Sequence, residues 1–143
     1  KFVKKDVAGY TPEERKELQD AIAALSAEAH LKAQRVKDAH DAAEIENGRK
    51  LIASDLRCTD CHQFRKKDED ADAPDLTGYG SREWLTKFLD NPAHPDFYGK
   101  LNDRMPAFGE EKILSAQQVQ LVADWLRGEW YEPGETAAVT AEK

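Results

Sequence analysis

Both cysteines of the chain lie within five residues of each other and directly before a histidine. Residues 58–62 read CTDCH, so two thiols three positions apart precede an imidazole. On one helical turn each thiol can form a thioether to a porphyrin vinyl group, while the adjacent imidazole reaches the iron as its proximal ligand. The C-x-x-C-H pattern therefore predicts one covalent haem c, attached through Cys58 and Cys61 and ligated by His62.

Three other interpretations of these cysteines stay open. A thioredoxin-like site also uses C-x-x-C, but it would follow a hydrophobic strand, and the residues before Cys58 look helical. A structural zinc site needs four ligands at compact spacing, and the next histidine, His94, lies beyond a long acidic loop. A disulfide at this spacing within a helix would be strained. Each of these fits the sequence less well than haem attachment.

The chain has one methionine, Met105, in the segment RMPAFG well after the haem motif. A thioether opposite an imidazole raises the reduction potential, because this soft ligand favours ferrous iron. Pro106 holds the adjoining backbone extended, which favours Met105 as the sixth ligand over a methionine packed in a core. His94 is the alternative ligand, and we expect His30 and His40 to be solvated helix residues.

The order of the short motifs resembles that of the class I c-type cytochrome domain. CTDCH is followed by APDLTGYG, REWLTKFLDNP, MPAFG and a closing amphipathic helix, and the resemblance covers about residues 41–128. The segment DNPAHPDFYGKLNDRMPAFG more narrowly resembles c-domains attached to bacterial bc-type quinol oxidoreductases. The resemblance implies an all-α class I cytochrome c fold around one covalent haem, with an extra amphipathic helix at the N-terminus.

The resemblance also implies roles for residues around the haem. The carbonyl of Pro74 would accept a hydrogen bond from Nδ1–H of His62, which fixes the ring and raises its basicity; an ordinary loop proline is the alternative. Leu76 would pack near the proximal face. Trp84 is expected in the core, with its indole N–H as a candidate donor to a haem propionate. Buried carboxylates need donors or counter-charges, and further candidates for that role are Tyr79, Tyr98 and Arg104.

The N-terminal part of the chain is predicted to form one amphipathic helix over residues 12–40. Thr11, Pro12 and Glu14 provide a capping box with proline at the first helical position. The helix could cover the haem domain, pair with another helix or bind a neighbouring subunit, and we expect it to lie on its own domain. Its apolar stripe is predicted at three- to four-residue spacing, from Leu18 through Ile22, Leu25 and Ala29 to Val36.

Three further helices are predicted between the N-terminal helix and the C-terminal tail. One leads into the haem motif, one ends at Asn91 before Pro92, and one closes the domain before Gly128. Residues 65–73 form a mixed charge run that we interpret as a solvated loop. The predicted caps of the three helices are Asp41 with Glu44, Ser81, and Ser115 with Gln118.

Gly48 is predicted to permit a close helix crossing, because a missing side chain lets two helix axes approach. The resemblance makes Trp125 of the closing helix its partner, and a merely tolerated glycine is the alternative.

The predicted domain limits are residues 1–40 for an arm and helix, 41–128 for the cytochrome domain and 129–143 for a tail. The closing helix is expected to turn Val119, Val122, Trp125 and Leu126 inward, and Trp130 and Tyr131 are expected to pin the tail.

Composition restricts the partners and the compartment. The formal net charge of −7 makes nucleic acid an unexpected partner. No apolar run approaches the ~18 residues of a membrane span. The chain begins at Lys1 without a signal peptide, so we expect a processed or excised chain that reaches a membrane only through a missing anchor or a partner subunit. The attachment chemistry implies the periplasm or the outer face of the cytoplasmic membrane.

The expected function is one-electron transfer between redox proteins in a respiratory chain, without enzymatic activity. Two strong axial ligands leave no open coordination site for substrate. The expected partner is a membrane-bound bc-type complex or its electron acceptor. A haem enzyme or gas sensor with a displaceable sixth ligand is the first alternative. The second is a fixed subunit in which the haem is an internal relay and the helix of residues 12–40 is a clamp.

Overall fold

The structure is a computed structural model that describes residues 9–54, 56, 58–68, 71 and 73–130. Within these residues the chain forms five α-helices and no strand, apart from an isolated bridge between His62 and Ala73. The all-α prediction is confirmed. None of the helices in this part of the chain is long and apolar enough to cross a membrane. The helices are α1 (Pro12–Glu28), α2 (Arg35–His40), α3 (Ala42–Ala53), α4 (Arg82–Asp90) and α5 (Ala116–Leu126).

Three predicted helix starts are confirmed by their side-chain caps. The Thr11 hydroxyl accepts a hydrogen bond from the Glu14 amide, and the Glu14 carboxylate accepts one from the Thr11 amide. The same reciprocal pair joins Ser115 and Gln118 at the start of α5. Ser81 caps α4. These bonds satisfy backbone donors that the first turn of a helix leaves without an internal partner.

The capping box predicted for Asp41 and Glu44 is wrong, although α3 does begin at Ala42. Asp41 has φ −92° and ψ 22°, and its side chain makes no capping hydrogen bond. Its carboxylate instead contacts Lys37 and His40 of the preceding short helix. Lys37 and His40 therefore bind the carboxylate oxygens that would otherwise accept a hydrogen bond from the first turn of α3.

The single helix predicted over residues 12–40 is also wrong. α1 ends at Glu28, and His30 adopts a left-handed conformation with φ 53°, so it is a loop residue and not a helical one. A 3₁₀ turn and the short α2 follow. Val36, predicted to extend the apolar stripe, is 85% exposed. The apolar spacing therefore continues along the sequence beyond the point where the backbone leaves the helix.

The buried face of α1 differs from the predicted stripe because it is made of small residues. Ala21, Ala24 and Ala27 are buried, whereas Ile22 is exposed. α1 packs on α3, so the expectation that it lies on its own chain holds for this contact. Two acidic residues, Asp20 and Glu28, are buried on the same face.

Gly48 does permit a close helix crossing, but its partner is α1. A Cβ at Gly48 would overlap the backbone carbonyl of Asp20 and lie 2.9 Å from the amide nitrogen of Ala21. Trp125, the predicted partner, is 65% exposed. The alanine face of α1 occupies the notch, because small side chains bring its backbone into reach.

Two apolar clusters form the core. α1 and α3 build the first, and α4 and α5 build the second. The division of the chain at residues 40 and 41 stays a prediction. The first cluster contains Ala21, Ala24, Ile52 and Phe64, with Leu25, Leu56, Cys58 and Leu76 against it. The second contains Leu89, Val119 and Ala123, with Leu85, Met105, Phe108, Leu114 and Val122 against it.

The predicted inner stripe of α5 is partly wrong. Val119 is buried and Val122 packs against the second cluster, but Trp125 and Leu126 are exposed, and Ala123 is buried in their place. Gly128 follows the C-cap residue Arg127 and has φ 67°, as its predicted role in ending α5 requires. Trp130 is exposed, and its expected role in pinning the tail stays a prediction. Tyr131 lies outside the described residues, and so do residues 1–8 of the arm predicted over residues 1–10.

Arg127, just after α5, ties the end of α1 to the loop before α4. Its guanidinium donates hydrogen bonds to the carbonyls of Ala29, at 2.6 Å, and Gly80, at 2.8 Å, and reaches His30 at 3.3 Å. Its side chain is only 5% exposed. A cation at this position also interacts favourably with the carbonyl end of α1.

Candidate functional site

The two cysteines lie in a tight turn that begins at Cys58, a few residues after the end of α3. The turn is a 3₁₀ helix over Cys58–Asp60, closed by a 3.0 Å hydrogen bond from the His62 amide to the Cys58 carbonyl. Both thiols are free; Cys58 is half-buried against the first apolar cluster, and Cys61 is exposed. Burial raises the pKa of the Cys58 thiol. Both sulfur atoms are thus available for thioether formation.

His62 is oriented by a hydrogen bond to the backbone. Its Nδ1 lies 2.7 Å from the carbonyl oxygen of Pro74, the partner that the resemblance implied. A carbonyl can only accept, so Nδ1 carries the proton. The neutral imidazole then has its lone pair on Nε2, which is the form that binds a metal ion.

Two chain segments run side by side to make this hydrogen bond possible. The amide of Ala73 donates to the Cys61 carbonyl at 3.1 Å, and the amide of Leu76 donates to the Gln63 carbonyl at 2.9 Å. Leu76 thereby packs against the first apolar cluster. The backbone ladder fixes Pro74 opposite His62, so the orientation of the ring depends on how these two segments are held.

Met105 lies at the edge of the second apolar cluster, between α4 and α5. It is half-buried, and its carbonyl accepts a 2.8 Å hydrogen bond from the side-chain amide of Asn102. This bond holds the loop before Pro106 in place. The role of Met105 as an iron ligand stays a prediction, and so do the ligand roles of His62 and the cysteines.

Trp84 packs in an aromatic cluster, but its indole N–H is already bonded to the protein. Nε1 donates to the Asp75 carbonyl at 2.9 Å. The role of this group as a propionate donor stays a prediction. The ring centroid of Trp84 lies 4.9 Å from that of Tyr79, 5.2 Å from that of Phe88 and 5.1 Å from that of Phe97. Trp84 therefore stabilises the loop that carries Pro74.

The other proposed propionate donors lie at the surface. Tyr79 and Tyr98 are each about half exposed, and Arg104 is almost fully exposed beside Asp103. Their roles toward a haem stay predictions. The alternative ligand His94 is exposed, and its Nδ1 accepts a 3.2 Å hydrogen bond from the Asp96 amide. His40 is an exposed residue of α2, as expected.

The sequence reasoning missed two residues that hold the site together, Glu28 and Arg65. The sequence pattern gives Glu28 no role and places Arg65 in a solvated loop. In the structure the Arg65 guanidinium donates to the buried Glu28 carboxylate at 2.6 Å. The available signal was the position of Glu28 on the same helical face as Ala21 and Ala24, where a charged residue is unusual without a partner.

These observations fit a covalently attached haem. The chain presents two free thiols at the attachment spacing, an imidazole whose Nδ1 is bonded to a carbonyl so that its lone pair is on Nε2, and apolar side chains beside them. A family model described as cytochrome c matches residues 45–130, which is more than half of the chain. The match begins within α3 and leaves out α1 and α2. Comparisons with curated proteins and with solved structures returned no match.

Proposed function

Because the chain belongs to the cytochrome c family, whose domain binds haem c covalently, we propose that it transfers single electrons with His62 and Met105 as axial iron ligands. When bound, the haem supplies the redox chemistry by alternating between ferrous and ferric iron. Cys58 and Cys61 are the attachment residues. The protein residues hold the ligands in place and keep water from them.

The hydrogen bond between His62 and Pro74 carries this proposal. It keeps the proton on Nδ1, directs Nε2 away from Pro74 and raises the basicity of the imidazole. A histidine that served only as a packed core residue would not need this tautomer next to two free thiols. The bond therefore supports His62 as an iron ligand.

Met105 supplies the second ligand in this proposal. Its thioether would favour the ferrous state and raise the reduction potential. The Asn102 side chain holds the Met105 carbonyl, which limits movement of the loop and so opposes displacement of the thioether. With both axial positions filled, the protein is an electron carrier and not an enzyme that binds substrate at iron.

The surface charge supports a basic docking partner. A formal net charge of −7 steers the chain toward a positively charged surface, and transient redox partners use small interfaces. We place the protein in the periplasm or at the outer face of the cytoplasmic membrane, in a respiratory chain. The proposed partner is a membrane-bound bc-type quinol oxidoreductase or its electron acceptor. The narrower sequence resemblance supports this assignment.

Absorption spectra of the matured protein test the ligand assignment. Intact mass and a pyridine haemochrome assay should show one covalent haem. The ferric wild type should show the weak red absorption band of methionine-ligated haem c. Met105→Ala should abolish this band and give a high-spin spectrum, because alanine has no atom to coordinate the iron.

His94→Ala is the matched control, because His94 is the alternative sixth ligand. It should leave the band unchanged. A wild type that lacks the band, and that becomes high-spin in His94→Ala but not in Met105→Ala, would transfer the ligand role to His94. A high-spin wild type that turns over peroxide rapidly would contradict the electron-carrier assignment.

A further inference from the structure

Glu28, the last residue of α1, is a buried carboxylate with three cationic or N–H partners. Its relative exposure is 2%. One oxygen accepts a 2.6 Å hydrogen bond from Arg65 and lies 3.4 Å from Nε of Arg49, and the other accepts a 2.9 Å hydrogen bond from the Gly78 amide. A buried charge is stable only when paired and hydrogen-bonded in this way. Glu28 therefore joins α1 to two separate places in the chain.

Those two places belong to the paired segments that orient His62. Arg65 closely follows His62, and Gly78 closely follows Pro74. The Arg65 amide also donates to the Thr77 hydroxyl at 2.7 Å, so the two segments are in contact at the point where Glu28 binds both. The carboxylate thus closes one end of the ladder that contains the bond from His62 to Pro74.

We propose that Glu28 is a positioning residue for the proximal iron ligand: by clamping Arg65 and Gly78 together it sets the hydrogen bond between His62 and Pro74 and thereby the reduction potential. This inference rests on the proposed function for the ligand role of His62. It assigns a task to α1, which lies outside residues 45–130, the part matched by the cytochrome c family.

The charge of Glu28 is maintained by its partners. Burial by itself raises the pKa of the carboxyl, but the hydrogen bonds from Gly78 and Arg65 and the charges of Arg65 and Arg49 outweigh it, so the pKa is lowered. Glu28 is therefore ionised at neutral pH. Without the negative charge, Arg65 and the Gly78 amide lose the charged acceptor that they share, so the two segments are held together less tightly.

The test compares reduction potentials of Glu28→Gln and Arg65→Met in the haem-loaded protein. A strong hydrogen bond to Nδ1 makes His62 a better donor to iron and stabilises the ferric state. Loosening the clamp weakens that bond, so both variants should raise the potential. A purely electrostatic effect predicts opposite signs, because one variant removes a negative charge and the other a positive charge. Opposite shifts, or no shift, would overturn the proposal.

Asp20→Asn is the matched control. Asp20 is a buried carboxylate on the same face of α1, but it contacts Lys16 and Asn47 and not the ladder. Its replacement should leave the potential unchanged. A shift as large as that of Glu28→Gln would show a general effect of α1 and overturn the proposal.

Amide hydrogen exchange at Gly78 gives a readout that does not depend on the iron ligands. Exchange should be about tenfold faster in Glu28→Gln than in the wild type, because the amide loses a charged acceptor, and unchanged in Asp20→Asn. An unchanged rate of exchange at the Gly78 amide in Glu28→Gln would overturn the proposal. A wild-type haem spectrum without histidine ligation would instead contradict the proposed function. Arg65 is half exposed, so Arg65→Met keeps the test available if Glu28→Gln fails to fold.

Discussion

The backbone of α1 occupies the space where Gly48 would have a side chain. Alanine is the smallest substitution, yet its Cβ would overlap the Asp20 carbonyl, which cannot move without shifting the whole of α1. A contact with backbone is harder to relieve than a contact with the end of a flexible side chain. Gly48 is therefore a steric requirement for the position of α1.

Gly48→Ala should lower the free energy of unfolding by about 3 kcal/mol, at the upper end for overpacking in a protein interior. Chemical denaturation of the haem-loaded protein measures this change. Gly9→Ala is the matched control, because a Cβ there meets no atom within 4 Å. Equal stability of the two variants would show that α1 does not lie against Gly48 in solution.

At the scale of single residues, the sequence predicts contacts that belong to a recognised motif. It does not predict which side chains meet when their partners lie far away in the chain. The C-x-x-C-H motif and the bond between His62 and Pro74 follow from the motif and its family resemblance. The donor role of Trp84 could not be foreseen, because its acceptor is a backbone carbonyl whose position depends on a loop. The pairing of Glu28 with Arg65 likewise joins residues far apart in the sequence.

The helix caps show why element boundaries are partly readable from sequence. At Ser115 the capping partner, Gln118, lies on the same helix turn, so no distant contact decides the outcome. At Asp41, a second helix ends directly before the capping position, and its Lys37 and His40 bind the carboxylate first. A cap predicted from spacing alone fails where neighbouring cations compete for it.

Ser115→Ala should destabilise the protein by about 1 kcal/mol, because the Gln118 amide in the first turn of α5 loses its hydrogen-bond acceptor. Asp41→Ala loses only contacts with two exposed side chains and should leave stability nearly unchanged. Thermal unfolding of both variants measures the difference. A cost for Asp41→Ala equal to that of Ser115→Ala would mean that Asp41 caps α3 after all.

The buried face of α1 differs from the prediction because the sequence offers two overlapping apolar faces. Large residues such as Ile22 suggested one face, but the alanine face packs more closely on α3 and is the one buried. The face of α1 that becomes buried depends on the notch at Gly48, which belongs to α3. The end of α1 at Glu28 similarly depends on partners from distant loops.

At the scale of the whole molecule, buried carboxylates join elements that are distant in the sequence. Asp124 of α5 accepts two hydrogen bonds from Arg82 of α4, at 2.6 and 3.0 Å, and Glu28 joins α1 to the haem-motif loop. The hydrogen bond from Arg82 holds the pKa of Asp124 below its usual value of 3.8. The pKa of Glu28 is likewise below its usual value of 4.5.

These lowered pKa values make stability depend on pH in a definite direction. The unfolded chain binds more protons than the folded chain near pH 4, so the free energy of unfolding falls as the pH drops below about 4.5 and through the folded pKa values. Glu28→Gln removes one such group and should flatten this decline. Denaturation curves between about pH 6 and pH 3 measure the slope. Identical slopes for variant and wild type would contradict the assignment.

The helical class of the molecule was predictable, because the motifs occur in family order along the chain. The arrangement of α1 on α3 was not, since it depends on a backbone contact at Gly48 and on ion pairs that close long loops. The family match, which begins at residue 45, carries no information about this arrangement.

The contacts of Arg127 affect any attempt to shorten the chain to the residues matched by the cytochrome c family. A fragment spanning residues 45–130 would keep the guanidinium but discard the acceptors on Ala29 and His30, leaving Gly80 as the remaining carbonyl contact. Removal of α1 would also expose the notch at Gly48. Such a fragment should mature poorly, and porphyrin insertion into it should be less efficient than into the intact chain.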